Sequence, residues 1–519
     1  MQEIEAQIWP HRRAQKRADL LPTLVVSSLL GHLLRVLHYC RGMGKGGEKD
    51  DCPPRAAFKG SPKKRWVVDG VSYDLTPFLA KHPGGPDFLL WSANRDISIA
   101  VHTYHKDPER TVLPLLRRYR CEEPPVKSVK RLMGVPQFLL PPKFDAVTDT
   151  PSYDWGPGTF LADLVKEMAR PAVARAVEAA DAAFDRHALI LLFMYGVIVS
   201  AWLSCVLRPS VAAIALILLR TALAGAGHSF VHRPKSPWGA LFDFNYVGHC
   251  TTAVDGHALL HHGYTQTEAD VKRGFFGGMM GVARAYRVPI HTLHKLGHAI
   301  TGCLVRQIDL QLERDAEEHQ GVEDLKRALG LGNWAHVGFW AVHVCLRVEL
   351  YVAWRQGLRW SWLFQFIGSL WLNTLLVVSS HDFDDLGDES ERDWAVFQLA
   401  ETHDMSITGW PRLDCWLSAG LAPHRAHHLL PYQRSAYANI ASEPAIRRVC
   451  ERRGIAWDPP KGLGSEILPV VARRLFAPAC DPATREALYA DAVAEHASWR
   501  QLAYCVSYVG AGVCGIGSI

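Results

Sequence analysis

The sequence predicts a mainly α membrane protein: four transmembrane helices with a cytosolic histidine-rich cap, preceded by a small α+β module. Three observations predict it. Apolar residues gather in four runs of roughly the 20 residues that a helix needs to cross a bilayer. Six of the 25 histidines fall between Gly225 and Gly263. Residues 64–120 combine short strand-like stretches, an Asp-Gly turn and short helices.

Composition sets the outer bounds. Across 519 residues, 48% are hydrophobic and 21% charged, which excludes wholesale disorder and a coiled-coil rod. A net charge of +5, from 57 Lys+Arg against 52 Asp+Glu, gives no reason to expect a nucleic-acid partner. The 12 cysteines form no CxxC and are spread evenly, unlike a disulfide scaffold or a zinc ribbon, so a reduced cytosolic face is expected. The chain divides into a leader or membrane-associated segment (1–60), the small module (61–122), a Pro-rich linker (123–160), the histidine-bearing helical domain (161–440) and a cytosolic tail (441–519). The leader carries HRRAQKR followed by LLPTLVVSSLLGHLL, a pattern open to a signal anchor, a transit segment or an amphipathic surface helix.

The apolar runs are Ala188 to Leu207, Ser210 to Gly227, Asn333 to Trp354 and Ser361 to Ser380. The first and last carry no charge. The second contains Arg220, and the third contains Arg347 and Glu349. They form two close pairs, so an even number of crossings separates the region near residue 230 from that near 420, and both lie on one side. Lys166, Arg170, Arg175 and Arg186 precede the first run, against Arg208 in the first short loop, which puts that side in the cytosol. Arg355 and Arg359 in the second loop pull the other way.

In the small module, Trp66 to Tyr73 reads as two short strands around Asp69-Gly70. Thr76-Pro77 opens a short helix that stops at Lys81-His82-Pro83-Gly84-Gly85, and a second helix runs from Asp96 to His102. The two glycines let backbone approach a flat ligand. The run Tyr73-Asp74-Leu75, His82-Pro83-Gly84-Gly85, Asp96 and Tyr104-His105 resembles the cytochrome b5 haem-binding domain. The resemblance implies haem b held between His82 and His105, with His102 as the competing second ligand. Two axial imidazoles leave no position for oxygen, so such a haem carries electrons. A Pro-rich tether would hold this donor close to its acceptor.

Three histidine clusters follow: His228 and His232; His257, His261 and His262; His424, His427 and His428. Spacings of three and four residues share one face of an α-helix, so His228/His232, His257/His261 and His424/His427 can each clamp a metal, and the adjacent histidine, about 100° round, can reach a second ion. Eight imidazoles exceed the four ligands of one zinc, and imidazole suits Zn, Cu, Fe and Ni. A one-electron donor in the same chain favours iron. These clusters resemble the histidine boxes of the membrane fatty-acid desaturase superfamily, and with the module ahead of them the chain looks like a cytochrome b5 fusion desaturase over most of residues 64–435. The resemblance implies two non-haem iron ions on those eight histidines, with His381 as a ninth ligand at the end of the fourth run. His249, His291, His294, His298 and His403 are expected in solvated or packing roles. Glu268 and Asp270 are candidates to orient imidazoles. The third box opens with His424 where b5-fused front-end desaturases usually have Gln, and the second reads HxxxHH, not HxxHH, so the position of the new double bond is not implied.

The resemblance further implies O2 as co-substrate, electrons from NAD(P)H through a cytochrome b5 reductase-like flavoprotein, a long lipid acyl chain as substrate, and residence in the endoplasmic reticulum membrane with the site facing the cytosol, a plastid being the alternative. Two other readings stay open here: a lipid hydroxylase on the same scaffold and a non-enzymatic haem electron carrier.

Overall fold

The computed structural model describes residues 64–84, 88–89, 92–124, 152–232, 239–242, 254–267, 270, 283–302, 334–381, 390–476 and 499–513. The leader, His249, Glu268, most of the Pro-rich linker and the Ala-rich stretch before residue 499 lie outside these residues.

In the small module, β1 (Trp66–Val68) pairs antiparallel with β2 (Val71–Tyr73), Trp66 opposite Tyr73. The reversal sits at Asp69 and Gly70, both at positive φ (50° and 76°), the geometry a two-residue hairpin turn demands and Asp-Gly supplies at low strain. A third strand, β3 (Arg95–Asp96), lies parallel to β1 on its other edge. Two residues are too few to show alternation, so it is invisible in the sequence. Trp66, Val68, Leu75, Ile97 and Val101 form the module's own core beneath α1 (Ser98–Tyr104).

The rest is largely helical. After α2 (Phe160–Met168) come two long helices, α3 (Pro171–Leu203) and α4 (Pro209–Val231). Both are long and apolar enough to cross a membrane. α3 begins well before the apolar run expected at Ala188, and its charged first half lies beyond any bilayer-spanning stretch. A π-helical stretch, Val254–His261, follows. Then come α5 (Arg284–Gly297), α6 (Trp334–Arg355), α7 (Arg359–Ser379), α8 (Trp394–Glu401), α9 (Pro411–Leu417), α10 (His424–Leu429), α11 (Ala436–Arg453) and α12 (Trp499–Val513). Among the described residues two helices, not the four expected, meet the length and composition of a membrane span. α6 and α7 match them in length, but Arg347 and Glu349 in one and Gln365 and Asn373 in the other dilute their apolar content.

Glu349 is answered by a charge on another helix. Arg220 on α4, fully buried, donates to Glu349 on α6 (2.5 Å) and to Gln365 on α7 (2.7 Å). Tyr195 on α3 donates to the other oxygen of Glu349 (2.7 Å) and lies under the Arg220 guanidinium. One polar network therefore ties all four long helices, inside a shared core that includes Leu192, Trp202, Leu216, Leu346 and Phe366. Near the end of α4, Gly225 rests against the backbone of Ala419 and Gly420, where a Cβ would stand 2.4 Å from a carbonyl carbon.

The boundary expected at residue 440 falls inside α11, whose Ala445, Ile446 and Val449 are buried in the cap. The cap thus continues into the region expected to be a separate tail. At the far end, α12 lies along α5: Gly512 leaves room for the His294 carbonyl, and Tyr508 bonds His291 (3.0 Å).

Candidate metal centre

α4 and α7 both end at the centre, with the partial negative charge of their C-termini directed at it, a setting that favours cations. The last turn of α4 carries His228, His232 follows that helix by one residue, and His381 follows α7 by two. The short α10 carries His424, His427 and His428. All nine imidazoles meet here although they span 200 residues of chain, and they sort into two groups. His228, His232, His257, His262 and His427 form one; His261, His381, His424 and His428 form the other; within each, the nearest ring nitrogens all lie within 4.8 Å of one another.

The partition differs from the helical pairing read from the sequence. His257 joins His262, not His261, because this stretch is π-helical and residues five apart share a face. In α10, His424 joins His428 at four residues, and His427 turns to the other group. The first cluster keeps its expected pair.

The rings are oriented by their outer nitrogens. His261 Nδ1 donates to the Asp270 carboxylate (3.0 and 3.1 Å), His381 Nδ1 to the Glu401 carbonyl (3.3 Å) and His428 Nδ1 to the Gln398 side-chain oxygen (2.9 Å). Each Nε2 is then the lone-pair nitrogen. His261 Nε2 and His381 Nε2 nevertheless stand 3.0 Å apart, His381 Nε2 and His424 Nε2 2.8 Å, and in the other group His257 Nε2 stands 2.6 Å from His228 Nε2 and 3.2 Å from His262 Nε2. Where two such lone pairs face each other, as at His261 and His381, they repel unless a cation sits among them. Two imidazoles bound at right angles to one ion at about 2.1 Å hold their nitrogens about 3.0 Å apart. The donor set therefore fits two metal ions of the imidazole-preferring kind. Burial, reinforced by neighbouring imidazoles, holds His262 and His428 well below their ordinary range, so both are neutral and ligand-ready.

In the small module the His82 and His105 rings face each other with centres 6.3 Å apart, close to the span of two imidazoles on either side of one metal at about 2 Å. His105 Nδ1 donates to the Val101 carbonyl (2.9 Å), and burial lowers its pKa, leaving a neutral Nε2. His102 is engaged elsewhere: it pairs with Asp69 (3.0 Å) and stacks on Trp155 at 4.4 Å. Gly84 has no side chain to crowd His82, whose Cε1 would lie 3.0 Å from a Cβ there. The pair fits a haem iron.

Of the histidines expected in packing roles, His291 and His294 bond Tyr508 of α12, and His403 bonds the Ser379 carbonyl (2.7 Å). His298 is buried. The sequence reading missed Gln398, whose oxygen orients His428 from a helix with no motif, and placed Tyr104 only in the haem-module motif, not beside His232.

Residues 56–122 match the family model of the cytochrome b5-like heme/steroid binding domain. Similarity extends across the helical body: the chain is 22% identical to the probable Delta(5) fatty acid desaturase C of Dictyostelium discoideum, covering 76% of this chain and 87% of that protein. It is 24% identical to Delta(5) fatty acid desaturase A of the same organism, covering 76% and 86%. The chain is a cytochrome b5-fused relative of the fatty-acid desaturases. To human fatty acid desaturase 3 this b5-fused desaturase relative is 23% identical, over 76% of its length and 86% of the human protein. It is an enzyme, an oxidoreductase, with a haem-binding module ahead of a helical body that carries two groups of histidines suited to iron. No solved structure matches it.

Proposed function

We propose that the protein desaturates a long acyl chain at a di-iron centre, using O2 and electrons that enter through its own haem. The observation that carries this is the division of nine imidazoles, all buried except the half-buried His228, into a group of five and a group of four, with the bis-histidine module alongside. On this reading His228, His232, His257, His262 and His427 hold one iron, His261, His381, His424 and His428 hold the other, and His82 and His105 hold haem b. Bound iron would supply the O2 activation that an unactivated methylene requires and no side-chain acid or base can provide. The chain's own part is to bind, orient and keep water out. Asp270, Gln398 and the Glu401 carbonyl fix ring tautomers, and His261, His424 and His428 are fully buried.

The reading includes four membrane spans, α3, α4, α6 and α7, with both histidine groups on the cytosolic side of the endoplasmic reticulum. The Arg220–Glu349 network supports counting α6 and α7, since Glu349 of α6 is neutralised and Gln365 of α7 is hydrogen-bonded inside the bundle. Exposed Leu189, Ile190, Phe193 and Ile214 on α3 and α4 would meet lipid tails. Electrons come from NAD(P)H through a cytochrome b5 reductase-like flavoprotein.

The test is expression in yeast with gas chromatography of total fatty acids and metal analysis of the purified protein. The expected result is a new unsaturated acyl chain, with about one haem and two non-haem irons per chain. An alcohol in its place would assign hydroxylation, and haem without non-haem iron or product would leave an electron carrier.

A further inference from the structure

The haem-type module does not hang free on its tether. Ile99 of α1 is buried in the core of the cap beside Tyr264, His102 stacks on Trp155, and the Tyr104 side chain reaches Phe88 on its own module and Ala258 in the second histidine box. The Tyr104 hydroxyl lies 2.8 Å from His232 Nδ1 and 2.9 Å from the Ala258 carbonyl oxygen.

Proton bookkeeping at that hydroxyl has one solution. A phenol carries a single proton, and a carbonyl oxygen carries none. The contact with Ala258 is therefore a hydrogen bond donated by Tyr104, whose proton is spent there. The contact with His232 must then be donated by His232, with Nδ1 protonated and the Tyr104 oxygen accepting. This leaves Nε2 of His232 as the lone-pair nitrogen, in the five-histidine group. Asp270 does the same for His261 in the four-histidine group, but Asp270 belongs to the same polypeptide segment as its ligand, whereas Tyr104 lies 128 residues away on the other domain.

We propose that Tyr104 is a positioning residue for the metal centre: docked by the haem-type module, it sets the tautomer and ring orientation of His232, so that the five-histidine site reaches full metal affinity only with the module in place. The inference rests on the two-metal reading above. It gives the module a second task besides carrying a haem. Since Tyr104 is the chain neighbour of His105, one metal site also registers whether the other redox group is seated beside it.

The experiment uses the full haem-loaded chain, wild type and Tyr104→Phe, stripped of non-haem metal and titrated with cobalt(II) in a calorimeter. Phe keeps the ring and its packing and removes only the oxygen. Wild type should take up two equivalents. In Tyr104→Phe one site should weaken by about 10–100-fold, the usual effect of losing such an orienting partner, while the other site, the haem spectrum and the melting temperature stay as in wild type. Two unchanged sites would overturn the proposal, as would two sites weakened together with a lowered melting temperature, which would mark general loosening. Failure of the wild type itself to bind two equivalents would instead refute the two-metal reading.

Discussion

Two buried polar clusters in this molecule draw residues from several distant helices, yet they balance their charges in opposite ways. The network of Tyr195, Arg220, Glu349 and Gln365 balances its charge internally: a cation meets an anion, and Tyr195 and Gln365 each add a hydrogen bond. The histidine cluster does not. It gathers nine imidazoles, three of them with outer nitrogens held by Asp270, Glu401 and Gln398, and their inner nitrogens converge on one another. A self-complementary cluster is architecture, and a cluster complementary to something of opposite charge is a site. The difference shows in proton placement, not in burial, since both are largely enclosed, His228 alone of the nine rings being half-buried.

The largest expected break comes from the cluster that needs a cation. His428→Ala or His261→Ala should abolish the desaturated product on gas chromatography and leave the haem absorption spectrum unchanged, because neither ring touches the small module. Next comes the closed network. Glu349→Ala strands the Arg220 guanidinium and should cost about 3–5 kcal/mol in thermal unfolding, whereas the paired replacement Arg220→Met with Glu349→Leu should recover most of that loss and retain product. If the paired replacement abolished activity, the network would belong to the site after all.

Asp270→Asn sharpens the contrast more gently. The side chain stays, the charge behind His261 goes, and metal affinity measured by competition with a chelator should fall about 10–100-fold. The smallest effect concerns a third kind of buried polar group. Asp404, which accepts from the Arg425 backbone N–H (3.0 Å), is pushed up to about 6, chiefly by burial. An unfolded Asp titrates near 3.9. Its folded-state preference is for the proton, so the stability it contributes is complete below about pH 4 and is lost as pH rises through about 6. Asp404→Asn should accordingly unfold later than wild type at pH 8, by about 1–2 kcal/mol, with the gap closing at pH 5.

The histidine cluster was legible in the sequence because its signal is residue type repeated at short spacing. So were the hairpin at Asp69-Gly70, the two most apolar helices and Asp270, one of two carboxylates that stood out as candidate partners. Which ring joins which group was not legible, since spacing converts to direction only if the helix type is known, and the π-helical stretch at 254–261 rotates His262 onto the face of His257. Nor could spacing reveal that Arg220 and Glu349, each a blemish in its own apolar run, neutralise one another across 129 residues. Contacts of this kind depend on which helices become neighbours, and nothing local encodes that. Tyr104 illustrates the same point: it entered the reading only as part of a haem-module motif, and its hydroxyl points the other way.

The close approach at Gly225 has a mechanical consequence. One turn beyond it stands His228, and a few residues past its neighbours Ala419 and Gly420 stands His424. Backbone touching backbone there acts as a gauge block between two of the four ligand-bearing segments. Even a single methyl group, 2.4 Å from the Ala419 carbonyl carbon, would wedge them apart by about an ångström before reaching ordinary contact distance, far more than a coordination bond tolerates.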